Sequence, residues 1–245
     1  WERRLKLCRW RAEREKMTEH KLTVAGLGPG TAGLITRETW ACIHASKHIR
    51  LRTRIHPTVS ALDAARISYE SYDTFYETAD DFQDLYERIA SDLIRRVQQG
   101  ENILYLVPGS PFVAERTVQL LRERAAGEHI VLRILPAMSF LEPLFAALGI
   151  DPVHGLTIVD AMDEEGLSVP LQQDMVVTQI YEREIASRVK LSLMKYLSDT
   201  HEVIYLHHLA LPDESIRRIP LFEMDRQHDI DHLTTLFVPN TKNFI

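Results

Sequence analysis

Apolar residues recur along this chain in two rhythms. Lys21–Gly26 (KLTVAG), residues 102–107 (NILYLV) and residues 130–135 (IVLRIL) are short, almost unbroken apolar runs, the pattern of strands buried on both faces. Residues 48–52 (HIRLR) read as a further short strand. Between these runs the apolar spacing changes to three and four. Residues 82–99 place Phe82, Leu85, Tyr86, Ile89, Leu93, Ile94 and Val97 along one helical stripe, and Gly100 closes it. Residues 34–45 show the same spacing, with Thr36 and Glu38 near the start. Further helices are expected up to about Arg124 and, after the next turn, up to Leu148. Strands alternating with helices predict a parallel sheet with crossover connections.

Past Pro136 the rhythm shifts. Strands are expected at 155–161, 174–180 and 203–208, with short final ones at 220–224 and 233–238. One amphipathic helix spans 182–197. Strands crowded together with few helices between them predict a mixed sheet. The chain therefore divides into a basic leader (1–20), a parallel α/β domain (21–135) and a mixed-sheet α/β domain (136–240).

Charge separates the leader from the rest. Residues 1–16 hold seven basic and three acidic side chains, which leaves 22 basic against 32 acidic beyond them, a net charge of −10 where the whole chain has −6. Met17 reads as a natural start and the leader as an upstream extension without ordered structure. An acidic body argues against a phosphate backbone, so no nucleic-acid partner is expected. No stretch approaches the ~18 uninterrupted apolar residues of a membrane span, so no membrane partner is expected either. Cys8 and Cys42 lie in no metal-ligand spacing, and a reducing cytoplasm is the expected location.

The candidate chemistry sits in three turns that follow buried strands: 26–30 (GLGPG), 108–111 (PGSP) and 136–139 (PAMS). In an open α/β sheet, ligands bind beyond the carboxyl ends of the strands. Fresh helix N-termini there offer unpaired N–H groups, glycine lets a ligand approach the backbone, and proline stiffens the turn. These turns predict a small-molecule site built largely from main chain, with Gly109, Ser110 and Ser139 at its tips. Gly28-x-Gly30-x-x-Gly33 fits a dinucleotide fingerprint formally. Arg50, Arg52 and Arg54 stand where NAD would want an acidic residue, so only NADP would suit, and Pro29 removes an amide from the turn. Asp160, Tyr181, His207 and His208 fall near strand ends and are candidate bases for an acceptor O–H or N–H. Alternation along a strand predicts the His207 and His208 rings on opposite sides. His228-Asp-Ile-Asp-His232 reads as a polar connection, and no metal site is expected. Tyr69, Tyr72, Phe75 and Tyr76 read as packing in a loop, with an acceptor pocket as the alternative.

Together, Val24-Ala-Gly-Leu-Gly-Pro-Gly30 with Leu34-Ile-Thr36, Pro108-Gly-Ser-Pro111 and Pro136-Ala-Met-Ser139 resemble the tetrapyrrole (corrin/porphyrin) methylase family. Residues 107–118 (VPGSPFVAERTV), Ser139-Phe140-Leu141, Ile219-Pro-Leu221 and Asp225-Arg226 are most similar to the branch of YabN-like proteins, in which such a domain precedes a MazG-type nucleotide pyrophosphohydrolase. The resemblance covers about residues 21–240. It implies two α/β domains with a ligand cleft between them, a homodimer, and S-adenosylmethionine as cofactor, with S-adenosylhomocysteine as product. It implies cofactor contacts from Pro29, Gly109, Ser110, Pro111, Val113, Ser139 and Phe140. Gln179, Tyr181, Leu209, Ala210, Pro220 and Leu221 would complete the pocket from the second domain. The family's Gly-Asp-Pro is Gly109-Ser110-Pro111 here, and its Pro-Gly-x-Ser is Pro136-Ala137-Met138-Ser139. The implied activity is methyl transfer to an unknown small-molecule acceptor, with a MazG-type pyrophosphohydrolase domain as the expected partner. A non-catalytic module that senses S-adenosylmethionine or a nucleotide is the alternative.

Overall fold

The computed structural model describes residues 21–168 and 170–240. The leader, residues 1–20, lies outside the described residues. The chain folds as two compact units that divide between Phe140 and Leu141.

The first unit is a five-stranded, all-parallel sheet in the order β3-β2-β4-β1-β5. Its strands are β1 (Lys21–Gly26), β2 (His48–Leu51), β3 (Glu70–Ser71), β4 (Ile103–Val107) and β5 (Val131–Ile134). Every residue of β4 is buried, because it runs mid-sheet with side chains entering a core on either face. Ile103, Tyr105 and Val107 join Leu22 and Val24 under helices Phe82–Gln98 and Arg116–Arg124. Leu104 and Leu106 join Ala25, Ile49 and Leu51 on the other face, with Ile43 of helix Arg37–Ala45.

Helix Phe82–Gln98 follows the predicted stripe: Leu85, Ile89, Ala90, Leu93, Ile94 and Val97 are buried. Its Asp81 cap accepts a hydrogen bond from the Asp84 amide at 2.8 Å. Asp81→Ala is expected to cost about 1 kcal/mol, the usual worth of an N-cap. A urea midpoint unchanged from that of the parent protein would refute it.

One helical start is corrected. The first crossover begins as a 3-10 turn at Ala32–Leu34, and the α-helix starts at Arg37, where the Thr36 hydroxyl accepts from the Thr39 amide. Tyr72 packs as expected, between β3 and helix Asp73–Thr78, 4% exposed, with its hydroxyl on Asp92.

The second unit carries a mixed sheet in the order β6-β7-β10-β8-β9. Its strands are β6 (Leu156–Asp160), β7 (Asp174–Thr178), β8 (Glu202–His207), β9 (Ser215–Pro220) and β10 (Thr234–Val238). Only β6 and β7 pair in parallel; the other neighbours are antiparallel. Helix Arg183–Leu193 packs Ile185, Ala186, Val189 and Leu193 onto one face. It ends well short of the expected 197. The expected strand at 220–224 is also corrected: the strand is Ser215–Pro220, and Leu221–Arg226 is a 3-10 turn that buries Leu221 and Met224. The adjacent Arg217 and Arg218 hid that strand from a hydrophobicity reading.

Candidate functional site

In the first unit the turns after β1, β4 and β5 meet. β1 and β4 are adjacent and parallel, but their connections leave for opposite faces, to helices Arg37–Ala45 and Arg116–Arg124. Such a divergence opens a crevice at the carboxyl edge of a sheet. Gly28 and Gly109 stitch the first two turns together, each donating its amide to the other's carbonyl, at 3.2 and 3.0 Å. All three turns converge on Gly26. A Cβ there would lie 2.1 Å from the Gly109 carbonyl oxygen, 2.6 Å from Ala137 Cβ and 3.0 Å from Pro111 Cδ. Gly28 has φ +72°, and a side chain there would also strike the Leu34 carbonyl. Gly109 has φ +60°, but the space a Cβ would take is open. Backbone is therefore accessible at Gly109, as a ligand cradle requires.

Pro29, Ser110, Pro111 and Ser139 are buried around these turns, while Val113 and Phe140 are partly exposed. The Val113 amide donates to the Ser110 carbonyl, and the Phe112 amide to the Ser110 hydroxyl at 3.3 Å. After the first two turns the helices do not begin at once, contrary to the expectation from sequence. The helices begin at Arg37 and Arg116, after a 3-10 turn in one case and after Ala114 at φ +52° in the other. That removes the helix end a dinucleotide pyrophosphate would need. Of the three arginines offered to NADP, Arg52 is engaged elsewhere. Arg52 Nη1 donates to Glu115 Oε2 at 2.7 Å, and Glu115 is 2% exposed. Burial works against the Arg52 charge, but Glu115, Tyr76 and Tyr105 outweigh it and raise its pKa. An open recess lined by Lys21, Thr23, His48, Asn102 and Arg133 lies at the amino ends of β1, β2 and β4, the opposite edge.

In the second unit, β7 and β8 run in the same direction, so their carboxyl ends share an edge. Gln179 leaves β7 at φ +65°, and Leu209 and Ala210 follow β8, Ala210 at φ +64°. Non-glycine residues held at positive φ are costly and cluster at functional positions. Pro220 and Leu221 are not with them. β9 runs antiparallel to β8, so Pro220 pairs with Glu202 at the opposite edge, and Leu221 is fully buried in the unit's own core. Tyr181 packs partly against that core, and burial, then Glu182, raises its pKa, which makes it a poor base at neutral pH. Asp160 accepts from the Met162 amide in a tight turn.

The same edge holds a cluster that sequence reasoning took apart. His208 sits at φ +53°, so its ring folds back beside that of His207, with centroids 3.8 Å apart and planes 18° apart. The rings are therefore not on opposite sides. Asp229 and Asp231 arrive in the connection before β10. His208 meets Asp213 through Nδ1 at 2.7 Å and Asp231 through Nε2 at 3.0 Å. Burial lowers the His208 pKa, but the two carboxylates outweigh it and the net shift is upward. His207 places Nδ1 3.5 Å from Asp229 and Nε2 3.3 Å from Asp231. Arg217 holds Asp229 with two bonds, at 2.7 and 2.6 Å, and lies over the Tyr205 ring. The signal for this cluster was present as His207-His208 and as the 228–232 stretch, but nothing local joins the two.

The family model described as Tetrapyrrole (Corrin/Porphyrin) Methylases matches residues 21–225. The chain is 36% identical over 222 residues to the uncharacterized protein YabN of Bacillus subtilis (strain 168), covering 91% of this chain and 45% of YabN. It is 32% identical over 136 residues to a methyltransferase/type I borosin cyclic peptide precursor of Mycena rosella, covering 54% of this chain and 33% of that protein. The chain thus spans less than half the length of these curated relatives. In fold it is similar to a uroporphyrin-III-C-methyltransferase from Thermus thermophilus, with a TM-score of 0.71 at 18% identity, covering 90% of this chain and 94% of that one. It is similar in fold also to the methyltransferase CobJ, with a TM-score of 0.66 at 19% identity, covering 90% and 94%.

Proposed function

The chain belongs to the tetrapyrrole (corrin/porphyrin) methylase family, and from that membership we propose that it is a methyltransferase using S-adenosylmethionine, with a small-molecule acceptor still to be identified. The observation that supports this best is the convergence of three turns on Gly26 beside the open backbone of Gly109. When bound, the cofactor supplies an electrophilic methyl group on a sulfonium, so the protein's task is to position the reactants and exclude water. Gly109, Ser110, Pro111, Val113, Ser139 and Phe140 would do this from the first unit, with Pro29 beside them. In the second unit, the candidates for cofactor contact are Gln179, Leu209 and Ala210, at the carboxyl edge of its own sheet. In-line displacement needs no dedicated base, and His208 has both ring nitrogens engaged by the carboxylates of Asp213 and Asp231.

Association with a MazG-type nucleotide pyrophosphohydrolase, dimerisation and a cytoplasmic location belong to the same reading and rest on the resemblance to YabN-like proteins and on cysteine usage. No helix among the described residues is long and apolar enough to cross a membrane.

Calorimetric titration with S-adenosylmethionine and S-adenosylhomocysteine tests the proposal. Binding at micromolar ligand is expected. Ser139→Trp, which fills the turn cluster, should abolish it while a thermal melt shows the chain still folded. No heat at millimolar ligand would reject the assignment. A second reading, a non-catalytic sensor, is favoured by Ser110, whose hydroxyl accepts from the Phe112 amide where the family carries a carboxylate. Binding without any turnover of S-adenosylmethionine in an acceptor screen would select it.

A further inference from the structure

We propose that His207, His208 and Asp231 form a binding site for a divalent transition cation of the zinc class. The site is independent of the methyltransferase reading, and it reverses the expectation of no metal. Each of the three residues offers one ligand atom, and these atoms lie within 4.8 Å of one another. The Asp231 carboxylate bridges the two rings: its Oδ1 is 3.3 Å from His207 Nε2 and its Oδ2 is 3.0 Å from His208 Nε2. Ligands bonded to one zinc at roughly 2.1 Å in tetrahedral geometry stand about 3.0–3.6 Å apart.

A second observation points to a ligand. His207 is 8% exposed, and its Nε2 is buried with no hydrogen-bond partner. Asp231 Oδ1 lies 3.3 Å away, at ion-pair distance. A buried ring nitrogen without a hydrogen bond, facing a carboxylate, is where a water or ion fits. The surrounding shell is also built for a metal. Ligating histidines usually turn their other ring nitrogen to a carboxylate, which fixes the tautomer and raises ligand basicity. Here Asp213 serves the Nδ1 of His208, and Asp229 lies near the Nδ1 of His207, itself held by Arg217.

The donor set selects the ion. Two imidazoles and one carboxylate suit zinc and its neighbours rather than magnesium or calcium, which prefer all-oxygen shells. Three protein ligands leave a coordination position open, so the ion would be exchangeable and able to take a water. The Asp231 side chain is 36% exposed, which gives the ion a way in. One rearrangement is required. The stacked rings have nearly parallel in-plane lone pairs, so they must splay to reach one ion. That rotation is about the Cβ–Cγ bond, a broad torsion in histidine. The His208 bond to Asp231 gives way as the ion takes its place. Because Leu209 and Ala210 follow directly, loading would fix the position of the β8–β9 loop.

The test is equilibrium dialysis of the chelator-treated full chain against zinc, with elemental analysis, and against cobalt, with its visible absorption. One ion per chain is expected, with intense cobalt bands of low coordination number. His207→Ala and Asp231→Ala should each weaken binding at least about 100-fold. Asp213→Asn, which leaves the three ligands intact, should weaken it about 10- to 100-fold. Cys42→Ser should change nothing. Asp231→Asn supplements the alanine variant, because an amide oxygen can still accept from the Leu233 amide and keep the turn folded. Failure to bind zinc at 100 μM, or stoichiometric binding unchanged in both His207→Ala and Asp231→Asn, would overturn the proposal.

Discussion

Gly26→Ala is expected to abolish cofactor binding and to lower stability by about 1–3 kcal/mol or more, the range for overpacking a filled interior. The reason is space, not backbone conformation. A Cβ on Gly26 would sit 2.1 Å from the Gly109 carbonyl oxygen, 2.6 Å from Ala137 Cβ and 3.0 Å from Pro111 Cδ. None of these is the far end of a flexible side chain. Two are fixed to the main chain and the third belongs to a proline ring, so no rotamer change relieves the contact. Moving Gly109 away would break its paired hydrogen bonds to Gly28 and separate the first two turns. Neighbouring glycines provide the contrast. Gly33→Ala should be nearly silent, since only the Thr31 hydroxyl comes within 4 Å, at 3.7 Å. Gly109→Ala meets open space and carries only the strain of its φ of +60°, about 1–2 kcal/mol. Urea midpoints and S-adenosylmethionine titrations of the three variants check this order. A Gly26→Ala protein within about 0.5 kcal/mol of the parent would show that the turns do not meet as described.

The contrast among these glycines reflects which features the sequence could carry. β1 and β4 are legible because a strand buried on both faces is an unbroken apolar run. The turns are legible because Gly26, Gly28, Gly109, Pro29 and Pro111 are residue types with few other uses in such places. β9 was not legible, since Arg217 and Arg218 interrupt its pattern, and Arg217 makes sense only through Asp229 and the Tyr205 ring. Strand direction was hidden too. Pro220 and Leu221 read as part of the ligand edge until antiparallel pairing with β8 carries them to the other end of the sheet. His207 and His208 defeat the period-two rule because a positive φ at His208 turns its ring back. Asp231 reaches them across 23 residues of chain, a contact no local pattern announces.

Glu115→Ala is expected to be more damaging still, costing about 3–5 kcal/mol, the range for removing one partner of a buried ion pair. Arg52 arrives at the end of β2, and its amide is bonded to the Leu106 carbonyl on β4, so the guanidinium cannot retreat with its backbone. Its charge persists at any accessible pH, because Glu115, Tyr76 and Tyr105 outweigh the opposing effect of burial. Without Glu115 that charge would be left beside Tyr76 and the fully buried Tyr105. The pair also closes the second turn. Glu115 is the last residue before helix Arg116–Arg124, so its anchor on Arg52 fixes where residues 108–115 leave the sheet. Loss of S-adenosylmethionine affinity should therefore accompany the loss of stability. Removing both charges separates the two effects. In Arg52→Met/Glu115→Leu no charge is stranded, and stability should return to within about 1–2 kcal/mol of the parent, as replaced buried pairs commonly do. A double-mutant cycle on urea midpoints then gives the coupling directly. If Glu115→Ala costs less than about 1 kcal/mol, or the double variant is no better than the single, the pair is solvated and does not set the second turn.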